Sequence, residues 1–374
     1  MSSPRPRTFV LFGSALATST RLHSVQLRVF VTRVLFVADQ FADATRSRVE
    51  RHAGGAELTD EAAIRACPWQ ISTTTFRNLN HRDEQLAKSD VIIVGNSETA
   101  TPDQLLSIAR TGRHVTFEHD LRICRWRGNF PSGRDVAHRM LQRCWCPHLT
   151  QRELFDRARG AIFLTRLQES YYRRNPFFAC PATHVLGSSL FGRALLDAAA
   201  ATASMSHERA GASVFASPHP VKGYRQALRY CRKRGLVARE IRGLSPAQVL
   251  EHFAASRRFV YLPIGPEWAG RMLVEARLLG CGVVTNELVG VAGEDFWQGD
   301  RSTALSFLAD GPRRFWGLVE QLMNRDETSN PRPERPLETV AEKLSGLLRA
   351  PKVCFWPVGP GPLHSARVHE YAAW

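Results

Sequence analysis

Residues 262–290 read LPIGPEWAGRMLVEARLLGCGVVTNELVG, and this segment decides the fold. A loop rich in Gly and Pro follows an apolar run and opens a helix. Glu267 lies in the loop, and Glu275 lies inside the helix after seven intervening residues. Gly270 allows the backbone to approach a ligand closely, and the free N–H groups of a helix start attract anions. The segment therefore predicts a diphosphate at the helix start and ribose hydroxyls at Glu275.

An alternation of strand and helix extends from this segment along the chain. Upstream, apolar runs typical of buried strands alternate with helical patterns, the strands at 33–41, 89–96, 114–120 and 158–165 and a helix at 102–111. Nearer the segment, helical patterns at 224–234 and 246–255 lie between further short strands. This order is typical of doubly wound parallel sheets, so we predict an α/β fold.

The length of 374 residues exceeds what one hydrophobic core usually supports, which predicts two domains. We expect a first Rossmann-like domain at 33–195 and a second at 208–330, facing each other across a cleft. An N-terminal extension at 1–32 precedes them. A tail at 331–374 follows them, with a helix at 339–348 that packs back on the body.

The formal net charge of +15 is almost entirely due to arginine. Lysine occurs only at Lys88, Lys222, Lys233, Lys343 and Lys352. Two explanations stay open: a surface for an anionic partner, or a general preference for arginine in the source genome. Eight cysteines without secretory spacing predict reduced thiols and a cytoplasmic location, and no apolar stretch reaches the ~20 residues that cross a bilayer.

The segment at 262–290 resembles the family-4-type retaining glycosyltransferases of the GT-B fold. Their hallmark is two glutamates separated by seven residues, followed by a small-residue helix and an apolar strand. The matching residues here are Glu267, Glu275, Ala276, Gly280, Val283, Val284 and Gly290. The resemblance implies that Glu267 contacts the donor sugar and that Glu275 contacts the ribose of a nucleotide-sugar donor, a UDP-sugar or a GDP-sugar.

A second similarity to this family lies upstream, in VFASPHPVKGYRQAL. It implies that Lys222 reaches the donor phosphates and that Gly223 starts a helix. The family usually carries arginine five residues before the lysine, where this chain has Ser217. Arg271 and Arg225 are the candidates to complete the phosphate clamp.

The first domain carries a weaker resemblance to the same family. Gly54 and Gly55 resemble its glycine-rich loop near donor and acceptor, and His119 and Asp120 follow a strand at its carboxyl end. The resemblance implies that His119 faces the donor sugar. It also implies transfer of a hexosyl or pentosyl group with retention and without a catalytic metal.

Three hypotheses for the acceptor stay open. A hydroxymethylated base in DNA, of the kind some bacteriophages glycosylate in the host cytoplasm, suits the cationic and aromatic residues Arg122, Arg125 and Trp126, and Asp120 beside them is a further acceptor-binding candidate. A cell-surface glycan or a lipid-linked acceptor is the second hypothesis. The third is a protein that binds sugar nucleotides without turnover.

A structural zinc ion is a further alternative for the first domain. Cys124, Cys144, Cys146 and His148 offer soft ligands, although their spacing is irregular for a zinc finger. Buried reduced thiols explain the same residues.

Overall fold

The computed structural model describes residues 32–42, 54–80, 84–124, 127, 148–175, 177–203, 208–325 and 367–374. The predicted N-terminal extension and the predicted helix at 339–348 lie outside these residues. The described part of the chain belongs to one compact unit. None of its helices is long and apolar enough to cross a membrane.

The first sheet contains six parallel strands in the order β2-β1-β3-β4-β5-β6. They are β1 Arg33–Ala38, β2 Gln70–Thr75, β3 Val91–Val94, β4 His114–Glu118, β5 Gly160–Phe163 and β6 Thr183–Val185. The helices of this half are α1 Gly55–Arg65, α2 Glu84–Lys88, α3 Pro102–Thr111, α4 Leu149–Asp156 and α5 Arg166–Arg173. All residues of β3 are buried, as expected for a strand covered by helices on both faces.

The second sheet has the order β11-β10-β9-β7-β8, in which only β11 runs antiparallel. Its strands are β7 Ala210–Phe215, β8 Ala238–Ile241, β9 Ser256–Val260, β10 Gly282–Asn286 and β11 Val368–Tyr371. The helices of this half are α6 Arg193–Ala203, α7 Tyr224–Lys233, α8 Pro246–Ala254, α9 Arg271–Leu278, α10 Asp295–Gln298 and α11 Arg301–Met323. The predicted α/β class with two Rossmann-like sheets is confirmed.

Two helix starts show how local sequence fixes the elements. Thr101 before α3 and Ser245 before α8 each accept a hydrogen bond from the backbone N–H three residues on, where a Gln side chain returns the bond. Each helix then begins with Pro, whose missing N–H costs nothing at that position. These caps satisfy backbone groups that a helix start otherwise leaves unpaired.

Helix α11 and the loop before α9 connect the two halves. Trp316 on α11 donates a hydrogen bond to the Ala63 carbonyl of α1 at 2.8 Å. In the second half, the carbonyl of Trp268 accepts from the Thr165 hydroxyl of the first half at 2.6 Å, and its indole packs on Tyr171. The carboxyl ends of both sheets therefore meet at a packed junction.

The segment 367–374 joins the second sheet, a role that the sequence does not reveal. β11 pairs with β10, and the Arg277 guanidinium stacks over the rings of Trp297 and Trp374 at 4.5 and 4.1 Å. Arg277 Nε also donates to the Ala372 carbonyl at 3.1 Å. Cation–π and hydrogen-bond contacts thus hold this strand at the sheet edge.

Candidate functional site

A cleft of about 1370 Å³ lies between the two halves. Gly54 and Gly55 at the start of α1 line one side, and Arg271 and Glu275 of α9 line the other. Much of the remaining wall is apolar or aromatic, with Trp69, Phe191, Phe215, Leu244, Val249 and Trp316 among the lining residues. A concave, largely apolar space with a few convergent polar groups is typical of a ligand site.

Of the two glycines, Gly55 faces α9 directly. A Cβ atom added to Gly55 would lie 3.7 Å from Cδ of Arg271, which is ordinary contact distance. At Gly54 an added Cβ would lie 2.5 Å from the Glu57 carboxylate. The start of α1 and the start of α9 therefore approach each other across the cleft.

Arg271 and Glu275 form a buried ion pair one turn apart on α9. Arg271 Nε donates to Glu275 Oε1 at 2.8 Å, and Nη1 donates to the Leu190 carbonyl at 2.6 Å. The guanidinium also stacks over Phe191 at 4.3 Å. Burial raises the pKa of Glu275, and the Arg271 charge only partly offsets this effect. The carboxylate is thus short of solvation, which hydroxyl donors of a ligand can supply.

Gly270 caps the start of α9 in the left-handed region, with φ of 58°. A Cβ there would lie 2.6 Å from Cγ1 of Val289. Only glycine combines this backbone conformation with so close a neighbour at low cost. The first N–H groups of a helix lack intrahelical acceptors, and the start of α9 is where the sequence predicts an anion.

Lys222 and Glu267 also form an ion pair, with Tyr261 as a third member. Lys222 Nζ and Tyr261 Oη both donate to Glu267 Oε2, at 2.5 and 2.6 Å. Burial alone would raise the pKa of Glu267, but the Lys222 charge and the two hydrogen bonds lower it below its usual value. The Lys222 and Glu267 side chains keep 29% and 20% of their surface exposed, so a ligand can reach them.

The Lys222 cluster adjoins the cleft but does not line it. Lys222, Gly223, Glu267, Gly270, His119 and Asp120 are all outside the set of cleft-lining residues. The connection runs through Phe215, which lines the cleft and whose ring lies 6.4 Å from that of Tyr261. Four predicted residues, Gly54, Gly55, Arg271 and Glu275, therefore line the cleft, and the cluster of Lys222, Glu267 and Tyr261 lies one residue behind its wall.

His119 is part of a third ion pair, in the first half. Its Nε2 atom lies 2.7 Å from Oδ1 of Asp60 on α1, and both side chains are almost fully buried. Nδ1 of His119 has no hydrogen-bond partner among the described residues. Burial alone would lower the pKa of His119, but the charge of Asp60 and its hydrogen bond raise it above 6.5.

This pair predicts a pH dependence of stability. Because the folded pKa of His119 is raised, its contribution is fully present below pH 6.5 and is lost as the pH rises through the folded pKa. The melting temperature should therefore fall as the pH is raised from about 6.5, and less steeply in Asp60→Asn. Thermal unfolding across this range tests the prediction, with the exposed Asp103→Asn as control. An unchanged slope in Asp60→Asn would contradict it.

The environment of Asp120 and Arg122 is not that of an exposed surface that binds a nucleic-acid strand. Arg122 is only 2% exposed, and its guanidinium binds Glu118 and the carbonyls of Val94 and Gly95. Asp120 accepts from Arg127 Nε at 2.6 Å, while burial raises its pKa. Arg122 therefore crosslinks the carboxyl ends of β3 and β4 from inside the first half. Arg125 and Trp126 lie outside the described residues.

The zinc alternative rests on residues that are only partly described. Cys124 is fully buried and His148 precedes α4, whereas Cys144 and Cys146 lie outside the described residues. Within the described ranges, no three His, Cys, Asp or Glu side chains are grouped to hold a metal ion.

The sequence alone does not identify two members of these clusters, Asp60 and Tyr261. Asp60 lies inside α1 and Tyr261 just after β9, and neither has a motif of its own. The one available signal is position, since polar residues at the carboxyl ends of strands line ligand sites. Asp60 lacks even that signal, because only the packing of α1 brings it to His119.

Three solved structures are similar to this chain. Anabaena Alr3699/HepE, in complex with UDP and glucose, shares 14% identity at a TM-score of 0.40, covering 84% of this chain and 100% of that chain. An α-glucosyltransferase in complex with UDP and a 13-mer DNA containing an HMU base shares 9% identity at a TM-score of 0.42. The match covers 85% of this chain and 99% of that chain. A glycosyltransferase from Rickettsia africae ESF-5 shares 9% identity at a TM-score of 0.46. The match covers 79% of this chain and 100% of that chain.

At these identities and TM-scores, the similarities assign neither a substrate nor a reaction to this chain. No model of a known protein family matches the sequence, and no curated protein matches it.

Proposed function

We propose that this chain is a nucleotide-sugar-dependent glycosyltransferase with its donor in the cleft between the two sheets. The observation that supports this most is the juxtaposition of Gly54 and Gly55 with the Arg271–Glu275 pair across the cleft. A nucleoside diphosphate needs cations and free N–H groups for its phosphates and a hydroxyl acceptor for its ribose. The start and first turns of α9 supply all of these.

In this proposal, the diphosphate is bound at the start of α9 and by Lys222. Arg271 uses Nε and Nη1 for protein contacts, and among the described residues Nη2 binds no acceptor. Lys222 has three N–H donors, of which Glu267 takes one. The remaining donors stabilise the negative charge that develops on the leaving diphosphate, so the protein groups suffice without a metal.

The ribose hydroxyls donate to Glu275 in this arrangement. The raised pKa of Glu275 shows that its ionised form is under-solvated within the protein. Hydrogen bonds from a ligand therefore favour the ionised carboxylate. Glu267 contacts the transferred sugar from its position beside Lys222.

Retention of anomeric configuration and a hydroxyl acceptor on hydroxymethylated DNA complete the proposal. Retention rests on the resemblance of the segment 262–290, and NMR of the product anomer tests it. The formal net charge of +15 supports a polyanionic acceptor over a cell-surface glycan or a lipid-linked acceptor. Transfer to either of these acceptors, but not to DNA, would contradict the DNA part alone.

Thermal unfolding with a panel of UDP-, GDP- and ADP-sugars tests the donor site. A ligand at 100 times its Kd stabilises the folded state by about 2.7 kcal/mol, so one donor should raise the melting temperature by several degrees. Glu275→Gln should abolish most of this shift, whereas Glu251→Gln, the same change on the exposed face of α8, should leave it intact.

Turnover separates an enzyme from a binding protein. The donor that stabilises the chain should also be hydrolysed slowly or transferred. Stabilisation without any turnover would indicate a sugar-nucleotide sensor, and the absence of stabilisation by every donor would contradict the proposal.

A further inference from the structure

Helix α7 presents an outward face that is entirely cationic. Arg225, Arg229, Arg232 and Lys233 follow the spacing i, i+4, i+7 and i+8, which places them on one side of a helix. All four side chains are exposed, whereas Ala227 and Cys231 on the opposite side are buried. We call these four residues the α7 surface.

The absence of acidic residues distinguishes the α7 surface from the other arginines. On several helices arginine has an acidic partner four residues away, as in Arg65–Glu61, Arg173–Glu169 and Arg193–Asp197. No Asp or Glu occurs between Arg209 and Arg239, and no ion pair involves the α7 surface within the described part of the chain. A general preference for arginine explains why the chain has many arginines. It does not explain why the cations of the α7 surface have no acidic partners.

Folding alone does not favour this arrangement. Arg225 and Arg229, like Arg229 and Lys233, are like charges four residues apart, and such pairs destabilise a helix by a few tenths of a kcal/mol. An anionic ligand along this face would remove the repulsion. The charge pattern therefore indicates a partner.

The strand beside α7 adds a carboxylate as well as a cation. Tyr224 at the start of α7 donates from its hydroxyl to Glu240 of β8, and Glu240 contacts Arg242 at 3.5 Å. Arg239 is exposed but is on the other face of the sheet, because its register partner Ser213 contacts His252 of α8. The α7 surface begins three residues after Lys222, close to the proposed donor phosphates.

The spacing of the charges suits the phosphates of an extended strand. Residues four apart on a helix are separated by about 6 Å along its axis, close to the separation of successive phosphates in an extended nucleic-acid chain. Arginine, which supplies three of the four cations, binds phosphate through a planar fork. A helix that lies on a membrane needs an apolar face to insert, and the outward face of α7 has none.

We propose that the α7 surface is a docking site for the phosphate backbone of a nucleic acid. The proposal does not depend on the donor chemistry, because the donor site proposed above uses Lys222 and Arg271 and none of Arg229, Arg232 and Lys233. It also places the nucleic-acid contact on the second half of the molecule, not on the first half where the sequence suggests it.

Fluorescence anisotropy with a labelled single-stranded DNA and its duplex tests the surface. The triple variant R229Q/R232Q/K233Q, which spares the phosphate-clamp candidate Arg225, should weaken binding on the order of a hundredfold at about 0.1 M salt. The slope of log K against log salt should also become shallower by about 2 to 3, the value for three lost phosphate contacts. The matched control R110Q/R157Q/R173Q removes the same charge from exposed sites elsewhere and should have a much smaller effect.

Two measurements keep the outcomes distinct. The melting temperature of the α7 variant should equal or exceed that of the parent chain, because like-charge repulsion is removed. Its stabilisation by a nucleotide sugar should be unchanged, so failure at the α7 surface and failure at the donor site are separable. Equal weakening in both triple variants would overturn the proposal, as would binding to anionic phosphatidylglycerol vesicles without binding to DNA.

Discussion

Replacing Lys222 by Met should reduce sugar transfer by about 10² to 10³-fold in kcat. This is the usual effect of removing one preorganised group that stabilises charge in the transition state. Lys222 is held at 2.5 Å from Glu267, so its ammonium is already positioned before the donor arrives. Steady-state kinetics with the donor that stabilises the chain provides the measurement.

Loss of the ion pair itself must be separated from loss of phosphate binding. Lys222→Met leaves Glu267 with Tyr261 as its hydrogen-bond donor, which costs some stability. The double variant K222M/E267Q removes both charges, restoring stability but not activity. Lys88→Met, at an exposed lysine of α2, should remain fully active. Activity of Lys222→Met equal to that of Lys88→Met would remove Lys222 from the mechanism.

Gly223→Ala should destabilise the folded protein by about 3 kcal/mol or more. Gly223 has φ of 71°, which costs a residue with a Cβ about 1 to 2 kcal/mol. The new Cβ would also lie 1.7 Å from the Leu262 carbonyl oxygen, so the backbone after β9 has to move. Because Leu262 precedes the loop that carries Glu267, donor binding should weaken as well.

Gly235 offers a matched control for this substitution. Its φ of 64° is nearly the same, but a Cβ there would meet no atom within 4 Å. Gly235→Ala should therefore cost only the conformational part, about 1 kcal/mol. Denaturant unfolding of both variants compares the two effects. Equal losses of stability in the two variants would show that the backbone at Leu262 moves away from the new Cβ without cost.

The sequence predicts the buried elements well, because their pattern is local. β1, β3, β4 and β5 lie within the predicted apolar runs, and α3 has the predicted bounds of 102–111. A parallel strand buried on both faces is apolar throughout, so burial is visible in the sequence itself. The capping residues and Pro at the start of α3 sharpen its boundary further.

Elements that depend on distant partners are not visible in the same way. β2 reads QISTTT and is mostly polar, because it forms an edge of the first sheet. β11 pairs with β10 across more than 80 positions of sequence. α11 contains Gly311 and Pro312 in its interior, residues that normally predict a break. Its packing against α1 and α6 favours one continuous helix despite them.

The candidate site shows the same division. Spacing alone brings Arg271 and Glu275 together, since they are one turn apart on α9. The pairing of Lys222 with Glu267 and that of Asp60 with His119 depend on the packing of separate elements. Arg122 looks like a surface cation in the sequence, yet the carboxylate of Glu118 and nearby carbonyls stabilise it in the interior.

A crystal structure with the stabilising nucleotide sugar tests the central claim most directly. We expect the diphosphate to bind at the Gly270–Arg271 start of α9 within reach of Lys222, and the ribose hydroxyls to donate to the carboxylate of Glu275. A nucleotide bound away from α9, with Glu275 contacting only Arg271, would contradict it.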